Sequence, residues 1–210
     1  YHKPTEFGTF NFFLTHPVEV WIFNSFRKWM FGRSKPNVGH EAITQIEKLL
    51  GDRFFLITQN IDRLHQKSGI DPLKMVEMHG NLDYMRCASE CSEDKYPFPL
   101  DLPYDREPFD ESLVEKNWEK FECPKCQSTT RPNILWFDEY YDEQNYRMDT
   151  CKKIAAETGL LFIIGTSGST GGAHSVLSVA YSSGAHFVEI NLDAGRFTQE
   201  AMEARRGHYI

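Results

Sequence analysis

Two places in this sequence set reactive side-chain types at spacings that can do chemistry. The first is Thr58-Gln59-Asn60-Ile61-Asp62, joined further on by His79-Gly80. Amides, a carboxylate and an imidazole supply hydrogen-bond donors, acceptors and a base that titrates near neutrality. The second is Cys87-x-x-x-Cys91 with Cys123-x-x-Cys126, the two pairs separated by 31 intervening residues, Ser92 to Glu122. Thiolates at these spacings in tight turns can meet one tetrahedral zinc at a Zn–S distance of ~2.3 Å. Four cysteines leave no open coordination position, so such a zinc is structural. Cys151 lies outside both pairs and reads as a core residue.

These groups need elements to carry them. Phe54-Phe55-Leu56-Ile57 is a short apolar run of the kind buried on both faces of a parallel sheet. It stops at the amides and carboxylate, and the carboxyl ends of strands are where open α/β sheets bind ligands. Met75-Val76-Glu77-Met78 predicts a second strand that delivers His79 to the same rim. Leu160 to Ile164 predicts a third, ending at Gly165-Thr166-Ser167 before a helix near Ala173. Small hydroxyl residues ahead of a helix N-terminus suit a ribose or phosphate. Phe187 to Ile190 is the last clear strand, with Asn191 at its tip.

Helices are predicted between and around these strands. Aromatic and aliphatic residues from Phe13 to Met30 recur at helical intervals and are interrupted at His16-Pro17, where Pro17 suits the first turn of a second helix. Ile43, Ile46, Leu49 and Leu50 mark another helix, stopped by Gly51. Ile61 to Lys67 is predicted helical, with His65 as a structural histidine, and so is a polar stretch from Phe197 to Arg206. Pro97, Pro99, Pro103 and Pro108 make the segment between the cysteine pairs loop-rich.

With 210 residues the chain can fill one core, or one core and a small module. Its 40% hydrophobic and 25% charged residues are ordinary globular values. A net charge of −7 argues against a general nucleic-acid binder and favours basic partners such as lysine-bearing proteins. No apolar run approaches the ~18 residues of a membrane helix, and no signal-peptide pattern opens the chain. Cysteines at metal spacing point to a reducing compartment, with the cytoplasm as the expected location.

Taken in order, these motifs resemble the sirtuins, the NAD-dependent protein-lysine deacylases. The resemblance runs through Thr58-Gln59-Asn60-Ile61-Asp62-x-Leu64-His65-x-x-Ser68-Gly69, His79-Gly80-Asn81, the two cysteine pairs, Arg131-Pro132-x-Ile134-Leu135-Trp136-Phe137, Gly165-Thr166-Ser167 and Ile190-Asn191. It implies an α/β fold: a Rossmann-like parallel sheet with a small four-cysteine zinc module and a helical insertion. The implied division is 1–50 for the helical module, 51–84 and 134–210 for the NAD-binding domain, and 85–133 for the zinc module. NAD and a structural zinc are the implied cofactors, and an acylated-lysine protein or peptide is the implied substrate.

The resemblance also implies roles. Asn60 and Asp62 hold the nicotinamide carboxamide, Gln59 orients the adjoining ribose, and His79 is the general base. Gly165, Thr166, Ser167 and Asn191 contact the rest of the cofactor. Leu135, Trp136 and Phe137 lie extended beside the substrate peptide. The acyl oxygen attacks the ribose carbon as nicotinamide leaves, and the products are free lysine, nicotinamide and O-acyl-ADP-ribose. Two other readings use the same residues: protein ADP-ribosylation, and a catalytically lapsed acyl-lysine-binding module.

Four departures from the family pattern carry expectations of their own. Arg27 matches the arginine of the Tyr-x-x-Arg pair that grips acidic acyl groups such as succinyl and malonyl, but Asn24 stands at the tyrosine position. Asp138 replaces the glycine of the family's Phe-Gly-Glu, adding a side chain and a charge where a peptide should pass. Gly168 to Gly172 replaces the usual apolar continuation after Gly-Thr-Ser. The family's Gly-Ala-Gly-x-Ser loop, its Gly-Ile-Pro-x-Phe-Arg segment and its final strand are not seen in the sequence. The expectation is therefore a fragment of a longer protein, with an apolar sheet face and edge uncovered.

Overall fold

The computed structural model describes residues 7–168, 170–193 and 195, and the backbone of 207–209. They form two compact units, one running to Tyr140 and including Gln144–Tyr146, the other made of Tyr141–Glu143 and the chain from Arg147 on.

The first unit opens with helices α1 (Phe10–Thr15) and α2 (Pro17–Arg33). They are separate helices because Pro17 lacks an N–H and fits only at the start of α2, where it sits. Val20 and Trp21 of α2, with Phe13 of α1, pack into a core with Leu82, Val114, Phe121, Ile134 and Trp136. Trp21 is fully buried, and its Nε1 donates to the Thr130 carbonyl at 2.8 Å.

Helix α3 (Val38–Leu50) starts at Asn37, whose side chain accepts from the Gly39 and His40 N–H groups, and ends at Gly51 with φ 57°. It buries Thr44 and Glu47, while Ile46, Leu49 and Leu50 face outward. The reason is the turn it packs on. Thr44 Oγ1 meets Ser68 Oγ at 2.9 Å, and the Glu47 carboxylate accepts from the Asp71 N–H at 3.3 and 3.4 Å.

Strands β1 (Leu56–Thr58) and β2 (Met75–Glu77) pair in parallel, Thr58 opposite Glu77. β1 begins two residues later than the apolar run, after a 3-10 turn, Gly51–Arg53, that engages the Phe54 N–H with the Gly51 carbonyl at 3.2 Å. Helix α4 is a single turn, Leu64–Lys67, shorter than expected. Arg63 at φ 64° and an Asp62 carboxylate accepting from the Leu64 N–H hold residues 61–63 out of the helix. β3 (Gly80–Cys87) runs antiparallel between β4 (Lys95–Pro97) and β5 (Thr130–Ile134). The loop-rich segment between the cysteine pairs carries a short α-helix, α5 (Ser112–Glu115), and a 3-10 turn, Trp118–Phe121, which send Val114 and Phe121 into the core.

Helix α6 (Glu143–Tyr146) contributes residues to each unit. The second unit holds α7 (Met148–Glu157), β6 (Leu160–Ile164), α8 (Gly171–Ser182), β7 (His186–Ile190) and β8 (Gly207–Tyr209). Its sheet order is β6-β7-β8, all parallel, with Leu160 opposite His186 and Phe187 opposite Gly207. Ile163, Phe187, Val176 and Leu177 are buried, whereas Leu160, Phe162, Ile164 and Ile190 are exposed. The apolar run at Leu160 to Ile164 is therefore not buried on both faces: only Ile163 is buried, and Leu160, Phe162 and Ile164 alternate onto an exposed face. The polar helix predicted over 197–206 lies outside the described residues. β8 is a strand beyond β7 that the sequence reading did not anticipate.

Candidate functional site

The first unit gathers its reactive groups where β1, β2 and β5 end. The Met78 N–H donates to the Thr58 carbonyl at 2.9 Å, and the Asn60 N–H donates to Thr58 Oγ1 at 3.1 Å. These bonds set residues 59–62 and 78–79 side by side. His79 Nδ1 lies 3.0 Å from the Gln59 carbonyl oxygen, and the Leu135 N–H donates to the His79 carbonyl at 3.0 Å. A carbonyl can only accept, so Nδ1 carries the proton and the basic lone pair is on Nε2. Burial lowers the His79 pKa from its ordinary 6.5, opposed by the bond to Gln59. The ring is therefore held as a neutral base.

Gly80 has to follow it. Its φ is 72°, and a Cβ there would lie 2.0 Å from the Asn133 carbonyl oxygen. Only glycine lets β3 pass this close to β5. Around the same rim, Arg63 pairs with Glu77 at 2.7 Å and Asp83 at 3.1 Å, Lys28 also pairs with Asp83, and Asn81 donates to Glu77 at 2.8 Å. Arg63 was missed in the sequence, since nothing local marks partners on other strands. Asp62 lies at a cavity of about 490 Å³ whose walls include Phe31, Ile61, Leu82 and Tyr104.

Leu135, Trp136 and Phe137 continue directly from β5. Trp136 is buried and Phe137 is 74% exposed. The Trp136 N–H donates to Glu139 at 3.0 Å, and the Phe137 N–H donates to the Gly8 carbonyl at 2.8 Å. Glu139 forms a two-pronged pair with the fully buried Arg131, whose guanidinium lies 3.8 Å from the Trp136 ring centroid. Removing one partner of such a buried pair costs roughly 3–5 kcal/mol. Asp138 does not lie idle in a peptide's path: its carboxylate accepts from the Phe10 N–H at 2.7 Å and the Asn11 N–H at 3.1 Å, capping α1.

Arg27 lies over the Phe23 and Phe31 rings at 5.6 and 5.7 Å, and among the described residues no carboxylate pairs with it. Burial pushes its pKa down. Asn24 is fully buried and donates to the Val20 carbonyl at 2.8 Å, so it turns into its own helix. The structure thus joins Gln59, His79 and Leu135 directly and Asn60 through Thr58, but gives Arg27 no hydrogen bond to any of them.

Within the second unit, the Gly165 N–H donates to the Ile190 carbonyl at 3.0 Å and Asn191 Nδ2 to the Thr166 carbonyl at 3.0 Å. Gly165, Thr166 and Asn191 are therefore brought together at the carboxyl ends of β6 and β7. Ser167 follows on the exposed side. Glu189, not singled out beforehand, is buried and accepts from the Gly195 N–H at 2.7 Å.

The cysteines converge as their spacing predicts. Cys87 and Cys126 sulfurs are 3.5 Å apart, Cys91 and Cys123 sulfurs 3.6 Å, and all four lie within 4.8 Å of one another. A tetrahedral zinc at ~2.3 Å from each sulfur sets edges of about 3.8 Å, so the donor set fits. Each pair closes a turn with one left-handed residue, Glu90 at φ 50° and Gln127 at φ 62°. Hydrogen bonds from the Ser128 side chain and backbone bring the Cys126 thiol down to about 6, while Cys91, bonded to Cys126, is pushed up to about 12. Cys151 stands apart and buried.

The chain as a whole is similar to known proteins. The model of the Sir2 family matches residues 2–170. An NAD-dependent protein deacylase of Aquifex aeolicus is 30% identical over 199 residues, covering 95% of this chain and 75% of the relative. A crystal structure of a Sir2 homolog–NAD complex superposes with a TM-score of 0.78 at 25% identity, covering 99% of this chain and 72% of that one. Sir2Tm bound to a propionylated peptide gives a TM-score of 0.75 at 25% identity, covering 97% and 76%.

Proposed function

The chain belongs to the Sir2 family, and from that premise we propose that it is an NAD-dependent protein-lysine deacylase releasing nicotinamide and O-acyl-ADP-ribose. The observation that carries this reading is the pair of bonds on His79. Its ring is bonded to Gln59 and its carbonyl to Leu135, so one base links the amide-rich rim to the segment assigned to the peptide.

When bound, NAD supplies an ADP-ribosyl group with nicotinamide as its leaving group. Asn60 and Asp62 offer an amide and a carboxylate that match the acceptor and donor of a carboxamide. Gln59 orients the neighbouring sugar. His79, protonated on Nδ1, takes a proton from a sugar hydroxyl through Nε2. Leu135, Trp136 and Phe137 border the acylated peptide. In the second unit, Gly165, Thr166, Ser167 and Asn191 are assigned to sugar or phosphate contacts. Cys87, Cys91, Cys123 and Cys126 hold a zinc that stabilises the fold and takes no part in the reaction.

The division into a helical module (1–50), an NAD-binding domain (51–84 and 134–210) and a zinc module (85–133) belongs to the same proposal. So does a reducing, cytoplasmic location, which suits thiolates on zinc. Among the described residues no helix is long and apolar enough to cross a membrane.

A second reading concerns the acyl group. Arg27 is a partly desolvated guanidinium without a carboxylate partner among the described residues, and the carboxylate of a succinyl or malonyl group would satisfy it.

The test is mass spectrometry of nicotinamide and O-acyl-ADP-ribose after mixing protein, NAD and acetyl- or succinyl-lysine peptides. It is run on this chain, on any longer polypeptide containing it, and on His79→Ala in each. Product that disappears with His79→Ala supports the reading. No product from folded, zinc-loaded protein of either length overturns it.

A further inference from the structure

We propose that Asp138 is a positioning residue for the acylated peptide, acting by tying the start of α1 to the 135–139 segment. The inference rests on the reading of residues 135–137 as the border of the peptide site.

Helix α1 does not need Asp138 in order to begin. Thr9 already caps it locally, its hydroxyl accepting from the Phe12 N–H at 3.2 Å. Asp138 adds both of its oxygens to the two preceding N–H groups, those of Phe10 and Asn11, across 128 and 127 residues of chain. Three of the four N–H groups left over at the helix start are then satisfied, two of them by a distant side chain. The added effect is to hold two chain segments together.

Two further contacts act along the same seam. The Phe137 N–H donates to the Gly8 carbonyl at 2.8 Å, and the Phe10 ring stacks on Trp136 with centroids 5.8 Å apart. At its ends the segment is fixed by the Leu135 bond to His79 and by the Glu139 pair with Arg131. Asp138 thus adds a further tie to the stretch between those ends, beside the buried Trp136 and the Phe137 bond to Gly8. A peptide that pairs with a preformed strand loses less conformational entropy on binding than one that must also order its partner. The side chain that looks obstructive in the sequence instead prepares the docking edge. Because its charge is taken up by helix N–H groups, it does not repel acidic peptides at full strength.

The experiment compares wild type, Asp138→Gly and Asp138→Asn on two substrates at saturating NAD: an acylated lysine with blocked ends and an acylated peptide of about ten residues. Asp138→Gly is expected to raise KM for the peptide about five- to tenfold, the size of a lost helix cap. Its kcat on both substrates and its KM for the blocked lysine should stay close to wild type. Asp138→Asn keeps one carbonyl acceptor and should fall between, which also covers a glycine variant that folds poorly. An unchanged peptide KM in both variants, or an equal loss on both substrates, overturns the inference while leaving the deacylase reading intact. If wild type turns over neither substrate, the deacylase reading fails and this inference fails with it.

Discussion

His79 and Gln59 are 20 residues apart in the chain, and the Nδ1 atom of one sits 3.0 Å from the carbonyl oxygen of the other. That single bond selects the tautomer of the proposed base and fixes its ring at the carboxyl edge of β1. It ties the imidazole to the backbone, so the orientation does not depend on the rotamer of the Gln59 side chain.

The base should therefore work below the usual histidine range. Burial lowers the His79 pKa from 6.5, so the ring stays neutral to a lower pH. The acid limb of kcat/KM should bend below pH 6.5, and His79→Ala should lose about 10²–10⁴ in rate. His65 is lowered too, by burial and then by the neighbouring His40. The unfolded chain takes up those protons first, so stability should be present above about pH 6.5 and lost as pH falls through the folded values. A denaturation series across pH checks the second part, and a flat profile from pH 7 to 5 would contradict it.

Arg27→Ala should discriminate between acyl groups. Loss of a cation facing a carboxylate should raise KM for a succinyl peptide about tenfold or more, while the acetyl peptide changes little. Steady-state kinetics on the two peptides decides it. Equal effects on both would mark Arg27 as part of the packing of α2, where it covers Phe23 and Phe31.

Zinc removal should unfold more than a loop. The cage joins the end of β3 to the turn before β5, and both strands border the core built on Trp21 and Phe121. Chelation, or Cys123→Ser, should release the metal and lower Tm by at least about 10 °C. Cys151→Ala should retain the metal, because that thiol lies outside the cage. Metal analysis alongside thermal melts distinguishes the two.

Gly80→Ala is expected to be far costlier than its chemistry suggests. The added methyl group would meet backbone 2.0 Å away at a φ of 72°, and neither the Asn133 carbonyl nor the strand can yield cheaply. A loss of well over 1 kcal/mol and displacement of the adjacent His79 should follow. Denaturant titration and nicotinamide release, measured on the same preparation, check both effects.

Much of this protein is written locally. Pro17 divides two helices, Gly51 ends a third, the apolar run at Leu160 to Ile164 is a strand of the same five residues, and the cysteine spacings converge on one tetrahedral cage. For the helices a backbone constraint acts within a few residues, the strand follows from a continuous apolar run, and the cysteine pairs, although 31 residues apart, share a donor type and spacing that suit one tetrahedral ion. Other features depended on partners far along the chain. α3 turns Thr44 and Glu47 inward and leaves Leu49 outside because a polar turn, Ser68 to Asp71, is what it packs on. Asp62 shortens α4 by competing for the Leu64 N–H. Asp138 caps a helix more than 120 residues away, and among the described residues Arg27 faces two rings and pairs with no carboxylate. Residue order determines which groups are available and how the chain bends beside them. Which donor meets which acceptor is decided only when folding brings distant segments together, since a hydrogen bond needs its atoms within about 3 Å.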